Sequence, residues 1–257
     1  MKMLLIIEAL LIISAALGQD HRVAADKEPY PLDMAVNSTD DEYDGCTENM
    51  TRLVETEYLK RELAMSKSSF KEAWQEAEIK HRKPENNLTR NHSIAMYVYT
   101  DRKVYFVFNN DTHHGKHSYT NKTYEWYSLY FLLTKAIQIL KQTQDKCIVS
   151  YRNTNVKFNK NVLNTIVRFG SFTSSSYNFK NKTIFGNVSC FEINTCYGAN
   201  VSKYSKLPHE KEVLIPPYEM FRVTNIKSRS DCETVYTLNS TGKQSDLNCA
   251  LFTRPSP

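Results

Sequence analysis

Two glutamates separated by a single residue are the part of this sequence with the clearest chemical potential. Glu210 and Glu212 flank Lys211 directly before an apolar run. In an extended strand, residues two apart share a face, so the two carboxylates are predicted to lie side by side. A buried carboxylate pair is costly unless it meets a cationic group. One carboxylate beside a glycosidic bond stabilises positive charge on a sugar carbon, and the other suits a guanidinium group.

An arginine and a serine cluster complement this carboxylate pair. Arg152 follows Tyr151 at the end of a short strand-like run, and its planar fork suits a pyrophosphate. The hydroxyl-rich segment 172–176 offers neutral donors and acceptors that position a ligand. Taken singly, these features are typical of a solvated strand, a surface arginine and a loop. Together they describe a site for a dinucleotide with a scissile glycosidic bond.

The elements that must position these residues fall into a helical first half and a β-rich second half. Residues 46–82 and 126–140 carry apolar side chains at helical spacing. The run 104–108 fits either a strand or a buried segment, and residues 109–121 are expected to form a polar loop. The order of elements predicts an α+β protein. Beyond Cys147, turn residues separate short β-rich runs, which are 148–151, 165–169, 183–193, 212–215, 221–226 and 235–238.

The first 18 residues have the organisation of a signal peptide. Lys2 supplies a positive start, residues 3–17 are mostly apolar, and small residues at Ala16 and Gly18 form a cleavage pattern. The apolar run is too short for a membrane-spanning helix of about 20 residues. This segment therefore predicts export of the chain.

The exported chain is expected to contain one catalytic domain. Residues 19–45 read as an extended lead-in, and residues 46–257 as the domain, with a helical part, 46–145, and a β-rich part, 146–257. A lipid-anchor signal needs an apolar tail of about 10–20 residues, and none follows Cys249. We therefore expect a secreted, extracellular protein with no membrane anchor.

Composition narrows the classes of partner and ligand. The formal net charge is +5, and the basic residues are scattered, which is typical of a solvated surface and not of a nucleic-acid partner. The 6 cysteines of an exported chain indicate three disulfides, although composition leaves their pairing open. Their spacing does not match a zinc site, so no metal is expected. N-glycosylation sequons, which mark surface positions, lie at Asn37, Asn49, Asn87, Asn91, Asn110, Asn121, Asn181, Asn187, Asn200 and Asn239.

Longer motifs resemble the vertebrate ecto-type arginine-specific mono-ADP-ribosyltransferases over most of the mature sequence. The longest is Glu-x-Glu-Val-Leu-Ile-Pro-Pro-Tyr-Glu-x-Phe at 210–221, and a second is Arg-Phe-Gly-x-Phe-Thr-Ser-Ser-Ser at 168–176. Any one segment is a weak signal, but their order along the chain is specific. Further matching segments lie at 32–35, 40–46, 70–74, 95–100, 133–137 and 195–199.

The resemblance implies roles for the residues singled out above. Arg152 would hold the phosphates and nearby ribose of NAD. Ser174, with Ser175 as the alternative one position away, would place the nicotinamide end. Glu212 would be catalytic, stabilising the oxocarbenium-like ribose, and Glu210 would orient the acceptor guanidinium. Arg152, Ser174 and Glu212 thus form the implied catalytic triad.

The implied NAD site contains one departure from the family pattern. Tyr151, Arg152, Asn153 and Ser174 are its expected members, and the family usually has glycine after the arginine. Asn153 retains the backbone amide and carbonyl and tolerates left-handed angles better than most residues. Its side chain is expected to narrow the pocket and to affect NAD affinity and turnover.

The resemblance also implies a fold and a cysteine pairing. A helical N-terminal part would pack against a β core of two antiparallel sheets, with NAD in the cleft of that core. The resemblance implies two bridges at the positions of the family's common pairs, Cys46–Cys249 and Cys147–Cys196. The remaining cysteines would form the third bridge, Cys190–Cys232.

The implied enzyme is an NAD(+)–protein-arginine ADP-ribosyltransferase that releases nicotinamide. NAD, with NADP left open, would be a co-substrate and no cofactor would be permanently bound. The acceptors would be arginine-containing proteins at the cell surface or in extracellular fluid. Two alternatives remain: an NAD glycohydrolase using the same cleft, against which Glu210 argues, and a non-catalytic secreted binding glycoprotein, which Asn153 supports.

Overall fold

A computed structural model describes residues 28–65, 69–178 and 185–252 of the chain. The predicted signal peptide, 1–18, lies outside the described residues. Helices occupy the first half and strands the second, which confirms the predicted α+β character. Within the described residues, no helix is both long and apolar enough to cross a bilayer.

Seven α-helices and one π-helical segment make up the described helical half. The fifteen-residue α7 is its centre, because Leu129, Leu133 and Ile137 on its apolar face are fully buried. The helices are α1 Thr47–Leu53, the π segment Val54–Tyr58, α2 Leu59–Ala64, α3 Phe70–Lys80, α4 Arg90–Tyr99, α5 Arg102–His113, α6 Lys116–Thr120 and α7 Tyr127–Lys141.

The predicted polar loop at residues 109–121 is wrong. Helix α5 runs on to His113, and α6 follows almost at once. Two of its polar side chains, Asn109 and Thr112, are buried and hydrogen-bonded, whereas others, such as Asn110 and Asn121, are exposed. The Asn109 amide donates to the Tyr99 hydroxyl over 3.2 Å, and the Thr112 hydroxyl donates to a backbone carbonyl of its own helix over 2.7 Å. The polar composition of this segment therefore combines exposed helix surface with a few buried side chains that form hydrogen bonds.

The strands form one sheet in the order β2-β7-β8-β4-β1-β3-β6-β5, so the expected pair of antiparallel sheets is wrong. The β4–β8 pair is parallel. Strand β1 joins the β2-β7-β8-β4 side of the sheet to the β3-β6-β5 side, because it pairs with β4 along its length and with β3 at Tyr151 and Ser176. The strands are β1 Ile148–Thr154, β2 Ile166–Val167, β3 Thr173–Ser176, β4 Ser189–Thr195, β5 Ala199–Asn200, β6 Glu212–Ile215, β7 Glu219–Arg229 and β8 Cys232–Lys243.

Buried aspartates tie the two ends of the described chain together. Asp40 accepts a hydrogen bond from the Arg168 guanidinium over 2.6 Å and from the Leu247 backbone N–H over 2.9 Å. Asp41 accepts from the backbone N–H of Cys249 over 3.0 Å. The aspartate pair in the 40–46 motif is therefore structural. It closes the domain beside the first disulfide.

The structure contains the three disulfides that the resemblance implies. Cys46–Cys249 links the start of the helical half to the C-terminal segment, and Cys147–Cys196 links the region before β1 to the end of β4. Cys190–Cys232 connects the neighbouring strands β4 and β8.

Candidate active site

Neighbouring strands bring the predicted arginine, serine and glutamate together. Arg152 lies on β1, Ser174 on β3 and Glu212 on β6, and these strands are adjacent in the sheet. Their side chains are 5%, 8% and 4% exposed. An Arg152 Nη1 atom donates to the Ser174 carbonyl over 2.7 Å, and the Ser174 hydroxyl donates to Glu212 Oε1 over 2.5 Å. The three residues therefore converge on one buried site.

Opposing influences act on the pKa of the Glu212 carboxyl. Burial raises the pKa of this carboxyl, while the hydroxyls of Ser174 and Ser205 and the charge of Arg152 oppose that rise. Its second oxygen, Oε2, has no hydrogen-bond partner among the described residues. A buried oxygen without a partner is costly, so it is available to a ligand hydroxyl or to developing positive charge.

The predicted extended geometry of the two glutamates is wrong, although both carboxyls are buried. Glu210 ends a short 3-10 helix, Pro208–Glu210, and Lys211 adopts a left-handed conformation at φ 55° before β6 begins. This turn leaves Lys211 exposed and Glu210 buried. The backbone kink, and not strand alternation, therefore places both acids inside.

Glu210 holds its proton to a higher pH than an ordinary glutamate does. Burial and, to a smaller extent, the charge of Glu212 raise the pKa of Glu210 to about 8. Its Oε1 atom is buried without a hydrogen-bond partner among the described residues. The coupling shows that the two carboxyls share one environment. A cation entering between them would relieve both the repulsion and the missing contacts.

The hydroxyls of the serine strand have different partners. The Ser174 hydroxyl reaches Glu212, whereas the Ser175 hydroxyl donates to the Val213 carbonyl over 3.0 Å. The Ser176 hydroxyl donates to the Glu210 carbonyl over 2.7 Å. The contact with Glu212 favours Ser174 over Ser175 as the site residue, and Ser176 holds the backbone of the acidic turn.

The other two predicted members of the NAD site flank Arg152. Tyr151 is half-buried and pairs with Ser176 across the β1–β3 junction. Asn153 is buried, and its amide donates to the Gly186 carbonyl over 3.1 Å. That contact ties the end of β1 to the segment that leads into β4. The Asn153 side chain thus has a structural partner where glycine would have none.

A lysine clamp that the sequence pattern did not reveal fixes the loop before Glu210. Lys206 Nζ lies 2.8 Å from Asp101 and 3.1 Å from Glu76, and 5.7 Å from the centre of the Tyr97 ring. The Lys206 backbone N–H also donates to the Thr100 hydroxyl over 2.9 Å. Because these partners lie about a hundred residues earlier, no local pattern could have identified the clamp.

Aromatic residues of the α4–α5 corner form the back of the site. The Tyr99 hydroxyl donates to the Phe172 carbonyl over 2.9 Å, just before Ser174 on β3. Burial raises the pKa of Tyr105, and the nearby charge of Arg152 opposes this rise. The sequence pattern placed both tyrosines in the helical part of the domain but did not identify them as site residues. Tyr99 lies in the motif at 95–100, and Tyr105 lies in the run 104–108.

Comparison with known proteins places this geometry in a family. The profile of the family described as NAD:arginine ADP-ribosyltransferase matches residues 32–246. The chain is 36% identical over 226 residues to the chicken erythroblast NAD(P)(+)--arginine ADP-ribosyltransferase, covering 85% of this chain and 75% of that protein. It is 33% identical over 231 residues to mouse T-cell ecto-ADP-ribosyltransferase 1, covering 86% of this chain and 78% of that protein.

A solved structure shares the fold. A mutant of the eukaryotic mono-ADP-ribosyltransferase ART2.2, solved in complex with NAD, superposes with a TM-score of 0.74 at 28% identity. The alignment covers 88% of this chain and 100% of that one. The likeness extends across both the helical and the β-rich parts.

Proposed function

We infer the reaction from the family: the chain belongs to the NAD:arginine ADP-ribosyltransferases, whose profile covers residues 32–246. It transfers ADP-ribose from NAD to arginine, with NAD as a co-substrate and not a resident cofactor. We propose that Arg152, Ser174 and Glu212 carry this reaction. The observation that carries the proposal is the continuous contact from the Arg152 guanidinium through Ser174 to Glu212 Oε1.

Arg152 and Ser174 are proposed to hold NAD. A guanidinium fork suits the pyrophosphate, and Arg152 is already fixed by its bond to the Ser174 carbonyl. The Ser174 hydroxyl contacts Glu212 on one side and retains acceptor capacity for the nicotinamide end. Tyr151 and Asn153 are proposed to line the same region from β1.

Glu212 is proposed to drive cleavage of the nicotinamide–ribose bond. The bond breaks with its electron pair leaving on nicotinamide, and positive charge builds on the ribose carbon. The carboxylate stabilises this charge from a buried position, where its effect is greater than in water. The unpartnered Oε2 atom is the group we assign to the ribose hydroxyl.

Glu210 is proposed to bind the acceptor arginine. The guanidinium replaces the proton that Glu210 otherwise retains and supplies the missing partner of Oε1. The arginine nitrogen attacks the ribose carbon from the face opposite the departing nicotinamide, which inverts that carbon, and the nitrogen then loses a proton to water. Water needs no such binding group, so the buried second carboxyl favours arginine transfer over hydrolysis.

The test is to incubate the purified protein with labelled NAD, with and without an acetylated arginine amide, and to separate the products. The proposal predicts release of nicotinamide and an ADP-ribosyl-arginine adduct. Free ADP-ribose without an adduct would identify a glycohydrolase. Absence of nicotinamide release from folded protein would favour the non-catalytic binding function.

The enzyme is extracellular, in keeping with its ecto-enzyme relatives and its disulfides. We propose that it is released from the cell and acts on proteins at the surface or in extracellular fluid. Activity in the medium of expressing cells supports release. Activity that leaves the cells only after phospholipase treatment would show a lipid-anchored enzyme.

A further inference from the structure

A second cavity lies away from the proposed active site. It has a volume of about 400 Å³, within the range of small-ligand sites, and none of Arg152, Ser174 and Glu212 lines it. Its walls are the segment 30–37 and the C-terminal end of α5, together with Phe158 and residues 168–169. We call it the lead-in cavity.

Three aromatic side chains, Tyr30, Phe158 and Phe169, line the lead-in cavity. Tyr30 and Phe158 pack with ring centroids 6.3 Å apart, and Phe169 also lines the cavity. Val36 adds an apolar side chain that is 58% exposed at the edge. Aromatic faces with a few polar groups suit a ligand that combines apolar C–H faces with hydroxyls, which is the character of a sugar ring.

The polar groups of the cavity present acceptors. Asn109 is 1% exposed and its amide nitrogen donates to Tyr99, whereas its Oδ1 atom has no hydrogen-bond partner among the described residues. The His113 Nδ1 atom lies 3.2 Å from the Phe169 carbonyl, which can only accept, so Nδ1 carries the proton. Burial lowers the pKa of His113, so the ring is neutral at pH 7 and Nε2 is an acceptor.

The charged groups at the cavity are engaged within the protein. Arg168 forms a buried ion pair with Asp40, and the Asp33 carboxylate accepts from the Ala35 backbone N–H over 2.7 Å. The Tyr30 hydroxyl, which has no hydrogen-bond partner among the described residues, can donate or accept one. The two acceptors that likewise lack a partner there, Asn109 Oδ1 and His113 Nε2, therefore favour a neutral ligand that donates hydrogen bonds. Hydroxyls and an N-acetyl N–H have this property, and a phosphate does not.

Two N-glycosylation sequons open onto the rim of this cavity. Asn37 and Asn110 are both exposed and both line it. Backbone bonds hold their segments together, since Lys116 donates to the Asn37 carbonyl over 2.9 Å and Thr39 donates to the Thr112 carbonyl over 2.8 Å. We propose that the lead-in cavity holds the first N-acetylglucosamine of the chain's own glycan, attached at Asn37 or Asn110.

The first test uses native digestion with a peptide N-glycosidase, followed over time by site-resolved mass spectrometry of the wild-type glycoprotein. Asn49 on α1 is the matched control, because it is an exposed sequon outside the cavity. We expect release from Asn37 or Asn110 to be at least about tenfold slower than from Asn49, which corresponds to about 1.4 kcal/mol of protection. Denaturation and reduction should remove the difference. Equal native rates, or no glycan at either asparagine, would overturn the proposal.

The second test separates the inner sugar from the outer branches. Trimming a high-mannose form to one N-acetylglucosamine per site should leave Tm unchanged. Asn37→Gln or Asn110→Gln should lower Tm by about 2–4 °C, and Asn49→Gln should not. Equal Tm values for all three variants would contradict a glycan held in the cavity. Failure of both tests would leave the proposed NAD reaction untouched, because nicotinamide release is measured separately.

Discussion

The pH dependence of acceptor binding tests the role of Glu210. The pKa of Glu210 is raised to about 8 by burial and by Glu212. A carboxyl is charged above its pKa, so Glu210 is about one-tenth ionised at pH 7 and about nine-tenths ionised at pH 9. The acceptor guanidinium has a pKa above about 12 and stays charged throughout. If the ionised carboxylate binds the acceptor, affinity rises as pH rises through 8.

The expected magnitude follows from these fractions. The apparent KM for an acetylated arginine amide should fall about tenfold between pH 7 and pH 9, which equals about 1.4 kcal/mol. Glu210→Gln removes the titrating group, so its acceptor KM should be high and nearly constant over this range. The KM for NAD serves as the internal control, because Glu210 is not assigned to that substrate.

The assay measures the ADP-ribosyl-arginine adduct by chromatography at fixed saturating NAD and varied acceptor. Free ADP-ribose is quantified in the same runs, so transfer and hydrolysis are separated. An acceptor KM that does not change with pH in the wild-type enzyme would refute the reasoning. So would a Glu210→Gln variant that keeps the wild-type pH dependence.

Three further perturbations have defined outcomes. The pKa of Glu210 in the folded state exceeds its unfolded value of 4.5, so raising the pH favours the unfolded chain. Relative to Glu210→Gln, the wild-type enzyme should lose roughly 1.4 kcal/mol of unfolding free energy for each pH unit between about 5 and 8. Urea titrations of both proteins at pH 5 and pH 8 measure this difference. Lys206→Met leaves the buried Asp101 carboxylate without its ion pair, so arginine transfer should fall about tenfold more than NAD hydrolysis. Lys206→Arg should restore the wild-type ratio of transfer to hydrolysis. Equal loss of both activities in Lys206→Met would show a purely structural role. Replacing Cys190 and Cys232 by alanine opens a loop with a sequence separation of 42 and should lower the free energy of unfolding by about 2–4 kcal/mol, which urea unfolding measures. Nicotinamide release should be retained, and a product assay checks this.

The sequence predicted the parts of the site that depend on long motifs. Ser174 and Glu212 were identified from segments 168–176 and 210–221, and the structure brings their side chains into direct contact. The geometry at Glu210 was not predictable from strand periodicity, because Lys211 adopts a left-handed conformation. Alternation describes extended chain only, and one residue with positive φ is enough to change which side chains are buried.

Long-range partners account for the other differences. Polar residues such as Asn109 and Thr112 resembled a loop because the hydrogen bonds that allow their burial involve groups that a local window does not show. The single sheet depends on the Tyr151–Ser176 pair, which connects strands that look independent in the sequence. The Lys206–Asp101 clamp likewise joins two segments without any shared pattern. Local composition shows which residues are polar, but it does not identify the residues with which they form hydrogen bonds or ion pairs in the fold.

The most direct test of the proposed site is a crystal structure of Glu212→Gln with NAD bound. We predict the pyrophosphate on the Arg152 guanidinium, the nicotinamide end beside the Ser174 hydroxyl, and a nicotinamide-ribose hydroxyl within hydrogen-bond distance of residue 212. NAD bound at any position that leaves Arg152 and residue 212 without a shared ligand would contradict the site proposed here.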